Sequence, residues 1–415
     1  MARALSTAFW IALGASVLLA VGVSAFAPVV ARVFGNPAIA ALIPVLGVGM
    51  VAGAAAALVT ALLRRDLNMK AIARRTLLAN AVSGAIATPF VLSGFGAWGL
   101  VIQSVGGAIL TLVLTVLLVG WPVKFTFDIR VAREMLRFGA PVTGADLLTY
   151  YNRESPKLFV GLFLGVEALG IFAMAMRVMN LMLEVVGVTL TKVTLPVMSQ
   201  VNRTSPERTK EIYLRLIRMV TSLILPAFLL MFLLRNEIVD LILGPNWAEV
   251  AVIFSFLCWA GLLTVFNFVN GAALVSIGYP EWRFWFSLVR ALLGTALLSM
   301  ASGQSLIAVA IALLARSIIV EPLSFLVLGR KLNFNTINTL LSLRYIMFAA
   351  IAFAIFSIFT SQLFRQYGVS FGAVAPAGIG LMVYIVMAWV GDHLLRLELS
   401  SIISAKLRRN GLEKL

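Results

Sequence analysis

Apolar runs of about twenty residues or more recur along this chain, with short polar gaps between them. They fall at about 8–30, 39–63, 76–95, 97–120, 138–164, 168–195, 212–234, 248–278, 283–301, 304–328, 343–362 and 371–393. A hydrocarbon core about 30 Å thick takes about 20 apolar residues to cross as a helix. Lipid supplies no hydrogen-bond partners, so the backbone must satisfy itself within helices or a closed barrel. Barrel strands of about 10 residues are much shorter than these runs. The expected fold is an all-α polytopic membrane protein with about twelve transmembrane helices. A 61% hydrophobic composition and a mean hydropathy of +1.02 exclude an ordinary soluble domain.

The net charge of +16 would suit a nucleic-acid binder, but the cations stand in the gaps between apolar runs. Alternate gaps and the two ends hold about 24 Lys and Arg, whereas the opposite side holds 3: Arg32, Arg235 and Arg365. Cytoplasmic loops collect such cations, so both termini are expected to be cytoplasmic, in a bacterial inner membrane, with no nucleic-acid partner. Cys258 is the only cysteine and His393 the only histidine. Disulfides, cysteine-rich metal sites and histidine triads are therefore excluded, and no Gly-rich phosphate loop is present. No cofactor and no enzymatic activity are expected. Arg3, the apolar stretch after it and Ala25-Phe26-Ala27 together resemble a signal peptide, but the repeat described below makes that run an ordinary helix.

One run breaks the apolar pattern. Residues 138–165 carry Asp146, Arg153, Glu154 and Lys157 at bilayer depth. At helical spacing Asp146, Tyr150, Arg153 and Lys157 lie on one stripe. A charge at the bilayer centre costs roughly 2.5–3.5 kcal/mol or more, so the stripe should meet water or paired partners. Two readings stand: a lining for the path of an anionic substrate, or structurally paired charges on a helix that merely packs. Pro156 lies within the stripe and is expected to kink it. Arg177 on the next helix is a further cation, whether for the substrate or as partner of Asp146 or Glu154. Asp146, Glu154 and Glu184 are placed to balance these cations, or to take up protons or sodium for coupling. Arg290 and Glu321 stand at equal depth on two helices and should form a structural ion pair, and Arg316 is a further cavity candidate.

Weak matches recur at an offset of roughly 207–212 residues. Residues 28–37 echo 236–246, the basic joint after Leu63 echoes 278–283, and Pro122–Phe127 echo Gly329–Phe334. Three matches in one order indicate a parallel duplication. Two helices precede the repeated block in the second half and none in the first, which points to a chain that starts late. The expected organisation is a four-helix N-terminal lobe at 1–120, an amphipathic cytoplasmic linker at 121–137 and a six-helix C-terminal lobe at 138–334. Two extra helices at 335–393 and a basic cytoplasmic tail at 394–415 follow.

Several motifs carry a family resemblance: Ala8-Phe9-Trp10; Phe34-Gly35-Asn36-Pro37; Arg137-Phe138-Gly139-Ala140-Pro141; Gly161 to Gly165 followed by Ala168 to Arg177; Leu195 to Gln200; and Leu243 to Ala248. In these the chain resembles the polysaccharide-exporting flippases, the Wzx-like lipopolysaccharide biosynthesis proteins of the multidrug/oligosaccharidyl-lipid/polysaccharide exporter (MOP) superfamily. The family usually has an aspartate where Pro156 stands here. The resemblance implies two lobes around a central cavity, and transfer of undecaprenyl-pyrophosphate-linked oligosaccharide across the inner membrane for lipopolysaccharide or exopolysaccharide synthesis. It implies as partners the lipid-linked oligosaccharide, membrane lipids, and polysaccharide polymerase and chain-length proteins. Arg153, Lys157 and Arg177 would then face the pyrophosphate. A multidrug or cation-coupled antiporter of the same superfamily is one alternative, but it would favour an acidic cavity. A membrane sugar polymerase or ligase is another, but it would want a large periplasmic loop.

Overall fold

The computed structural model describes residues 2–65, 68–119, 124–366 and 374–391. Fourteen α-helices account for nearly all of them: α1 Ala2–Val33, α2 Ala38–Arg65, α3 Met69–Leu92, α4 Ala97–Val119, α5 Ile129–Phe163, α6 Gly165–Thr204, α7 Thr209–Leu233, α8 Arg235–Leu243, α9 Ala248–Ser276, α10 Glu281–Ala301, α11 Leu306–Lys331, α12 Thr336–Ser342, α13 Arg344–Gln366 and α14 Val374–Gly391. Among the described residues eleven helices are long and apolar enough to span a bilayer. The sequence pattern counted a twelfth at 138–164, the charged part of α5, which is not among the eleven. The expected linker helix is not a separate element: Ile129–Phe163 is one continuous helix, and it runs on through Pro156. His393 and the tail 394–415 lie outside the described residues.

The joints show why the helices stop where they do. At the end of α9, Gly278 takes φ 88°, Gly278 N–H reaches the Val275 carbonyl and Tyr279 N–H reaches the Leu274 carbonyl. This left-handed closure satisfies orphan carbonyls and suits glycine, which has no Cβ to clash. Asn333 closes α11 likewise at φ 53°, with Phe334 N–H bonded to the Gly329 carbonyl. At helix starts the Asn68 side chain accepts from Ala71 N–H, and the Ser305 side chain from Ala308 N–H. Capping by Asn68 begins α3 at Met69, not near residue 76 as hydropathy suggested, so Arg75 is a helical residue.

The chain divides into two compact units, Met1–Asp146 and Leu147–Leu415. In the first, α2 packs on α1 and α4, and α3 packs on α4. The segment after α4 is tied to α1: Lys124 N–H donates to Ser6 Oγ at 2.9 Å and Asp128 N–H to Thr7 Oγ1 at 3.1 Å. In the second unit α9 is the hub, in contact with α6, α7, α10 and α11. It is mostly apolar around its circumference, as suits a helix packed against several others. The α13–α14 pair leans on α7, and Tyr384 of α14 donates to the Ser222 carbonyl at 2.8 Å.

Both units contain the same triplet. The pairs α2–α4 and α3–α4 in the first correspond to α9–α11 and α10–α11 in the second. The duplication inferred from weak sequence echoes thus has a structural counterpart within each unit.

Candidate functional site

The charge stripe of α5 lies on a half-exposed face. Asp146, Tyr150 and Arg153 are exposed and Lys157 is partly so, whereas Ser155, Pro156 and Val160 are buried on the other side. The opposite side is docked by α10: Asn152 Nδ2 donates to the Ser287 carbonyl at 2.9 Å, and the Tyr151 and Thr295 hydroxyls meet at 2.6 Å. Glu154 is not a bystander to the stripe. Arg153 Nε donates to its Oε1 at 2.9 Å and Lys157 Nζ to its Oε2 at 2.7 Å. The Arg153 guanidinium also lies 5.5 Å from the centre of the Tyr150 ring. One carboxylate therefore holds two cations, and the cluster keeps one net positive charge.

The other sequence candidates are dispersed. Arg177 and Glu184 are exposed on α6 and make no ion pair among the described residues. Arg290 Nη2 and Glu321 Oε1 meet at 2.7 Å, with Glu321 only 2% exposed. Arg316 lies next to them on α11, packed against Gly294, with Nε and Nη1 buried and without hydrogen-bond partners.

Sequence reasoning missed the network around Glu321. Asn267 Nδ2 donates to Glu321 Oε2 at 3.1 Å, Tyr213 donates to Asn270 Oδ1 at 2.8 Å, and Asn270 Nδ2 donates to Ser324 Oγ at 2.6 Å. A signal existed: Asn267 and Asn270 are two amides one turn apart in an otherwise apolar helix.

It also missed an open cavity of about 550 Å³ in the first unit, lined by residues of α2, α3 and α4. Arg75 is one of them, 6% exposed, with Nη1 donating to Thr60 Oγ1 at 2.7 Å and to Thr115 Oγ1 at 2.6 Å. Hydropathy had placed Arg75 in a polar joint, where a cation only reports topology.

Comparison with known proteins adds lineage to this geometry. Residues 1–252 match the sequence profile of the family described as "Polysaccharide biosynthesis protein". The teichuronic acid biosynthesis protein TuaB of Bacillus subtilis is 24% identical over 74% of this chain and 64% of its own. The succinoglycan biosynthesis transport protein ExoT of Rhizobium meliloti is 23% identical over 69% of this chain and 58% of its own. The chain thus spans about three fifths of the length of these curated relatives. The inward closed conformation of the lipid II flippase MurJ superposes with a TM-score of 0.74 at 12% identity, over 95% of this chain and 84% of that one. At that identity the likeness is one of fold.

Proposed function

Since the chain belongs to the polysaccharide biosynthesis protein family, we propose that it moves undecaprenyl-pyrophosphate-linked oligosaccharide across the bacterial inner membrane, from the cytoplasmic to the periplasmic leaflet. The observation that carries this reading is the pairing of Arg153 and Lys157 with the single carboxylate of Glu154. A lipid-linked sugar has an anionic head that must be hidden from hydrocarbon while its tail stays in lipid. Arg grips phosphate oxygens with a planar fork and Lys offers a compact charge. The side chains of Arg153, Glu154 and Lys157 are 56%, 28% and 31% exposed, so their mutual attraction is worth about 1 kcal/mol or less. A pyrophosphate with higher charge than one carboxylate displaces Glu154 at little cost. Glu154 returns when the head group leaves, so the cations are not left bare.

On this reading the chain catalyses no covalent step. Proton or sodium uptake at an exposed carboxylate, Asp146 or Glu184 among them, supplies direction. The polymerase and chain-length proteins take over the delivered unit, and both termini face the cytoplasm.

The test is polysaccharide export in cells that depend on this chain. Arg153→Ala and Lys157→Ala should abolish surface polymer while the protein remains at normal abundance in the membrane. Normal polymer from the double variant would remove the cluster from the mechanism.

A further inference from the structure

The triplets α2–α3–α4 and α9–α10–α11 place side chains in matching positions, within about one turn of each other. Counted from the start of each helix, Thr60, Arg75 and Thr115 fall three residues from the positions of Asn267, Arg290 and Glu321. In the second unit the arginine is neutralised inside the protein by Glu321. In the first unit the hydrogen-bond partners of Arg75 are two threonines. Both threonine hydroxyls already donate to backbone carbonyls, Thr60 to Ala56 and Thr115 to Thr111, which turns their oxygens toward Arg75 as neutral acceptors. Arg75 Nε is buried without a hydrogen-bond partner. A second cation, Arg64, lines the same wall, with Asn80, Ser83, Gln103 and Ser104 beyond it, and no carboxylate is among the described lining residues.

A buried cation surrounded by neutral dipoles is destabilising unless a negative charge comes to it. The space beside it is large enough for a ligand. Small residues hold that space open: Gly53 on α2 has nothing within 4 Å of a Cβ position, and Gly107 on α4 has only the Ser83 side chain within that distance. Where the second unit has an internal carboxylate, the first has two cations and room.

We propose that the cavity between α2, α3 and α4 is a binding site for a phosphate-type anion, with Arg75 and Arg64 as its cations and the Asn80 and Gln103 amides as neutral donors. No α5 residue lines it, and the proposal stands without the transport reading. The anion is either the phosphate of a membrane lipid or a soluble phosphate.

The experiment uses the full chain purified in a neutral detergent and carrying Arg153→Gln and Lys157→Gln, so that α5 contributes nothing. Inorganic pyrophosphate is titrated by calorimetry, and phosphatidic acid is followed by native mass spectrometry. At least one probe should bind saturably, and Arg75→Gln should weaken it tenfold or more. Gly53→Leu, which fills the cavity and leaves both arginines in place, should do the same, and it decides the matter if Arg75→Gln fails to fold. Retention of phosphatidic acid alone assigns a lipid source, and retention of pyrophosphate alone a soluble one. Absence of binding by both probes, or binding that survives Gly53→Leu, overturns the site.

Discussion

Arg290 on α10 and Glu321 on α11 meet at 2.7 Å, and Glu321 is also bonded to Asn267 on α9, so one carboxylate ties three helices together. Arg316 lies within Coulombic range of both. Glu321 therefore balances two arginines in a region where water cannot.

Removing Glu321 should cost more than removing either cation. Breaking a buried pair costs about 3–5 kcal/mol, because the survivor is left with uncompensated charge. Glu321→Gln strands two arginines, whereas Arg290→Gln leaves the carboxylate with Arg316 nearby. Unfolding midpoints of the purified variants should fall in the order wild type, Arg290→Gln, Glu321→Gln. The reverse order would show that Arg316 does not share the carboxylate.

Exposed charges on α5 should behave oppositely. Arg153→Ala, Glu154→Gln and Lys157→Ala should each shift stability by about 1 kcal/mol or less. Transport should respond nonetheless, and Glu154→Gln should tighten binding of inorganic pyrophosphate by removing the resident competitor. Calorimetry on an Arg75→Gln background reads that effect, and weaker binding would contradict the displacement role of Glu154.

The packing of α9 makes a steric prediction. A Cβ at Gly261 would collide with the Met179 side chain and lie 2.9 Å from Phe228, whereas one at Gly271 meets nothing within 4 Å. Overpacking a core costs about 1–3 kcal/mol. Gly261→Val should lower the thermal midpoint in detergent markedly, with Gly271→Val close to wild type apart from a small gain in helix propensity. Equal midpoints would mean that Met179 moves aside freely.

Cys258 is 1% exposed in the core and Tyr150 is 58% exposed on α5. The wild-type chain should resist a polar, membrane-impermeant maleimide in intact vesicles. Tyr150→Cys on a Cys258→Ala background should react from at least one side of the membrane. Protection from both sides would indicate that this face is covered and would weaken its proposed contact with a head group.

Much of this was legible in the chain itself. Helix existence and placement follow from apolar length and from caps such as Asn68, Ser305 and Gly278, which are local in sequence. The duplicated helix order and the matching depth of Arg290 and Glu321 could be read because depth counts along each helix from its end. The stripe on α5 could be read because helical spacing sets which residues share a face. The clasp of Glu154 between Arg153 and Lys157 lies one step beyond, since it depends on rotamers that leave the helix surface sideways.

What only tertiary structure decided is which polar groups converge. Arg75 lies six positions into α3, close to Lys70 and Arg74, and by sequence is one more basic residue at a joint. Its burial, and its bonds to Thr60 and Thr115, come from the packing of α2 and α4 around it, with partners 15 and 40 residues away. Likewise Asn267, Asn270, Tyr213 and Ser324 are isolated polar residues until three helices bring them together. Hydropathy sums over one segment at a time, so it fixes which segments enter the membrane. Charge compensation is set between segments, and only their packing determines which cation has its carboxylate and which is left beside open space.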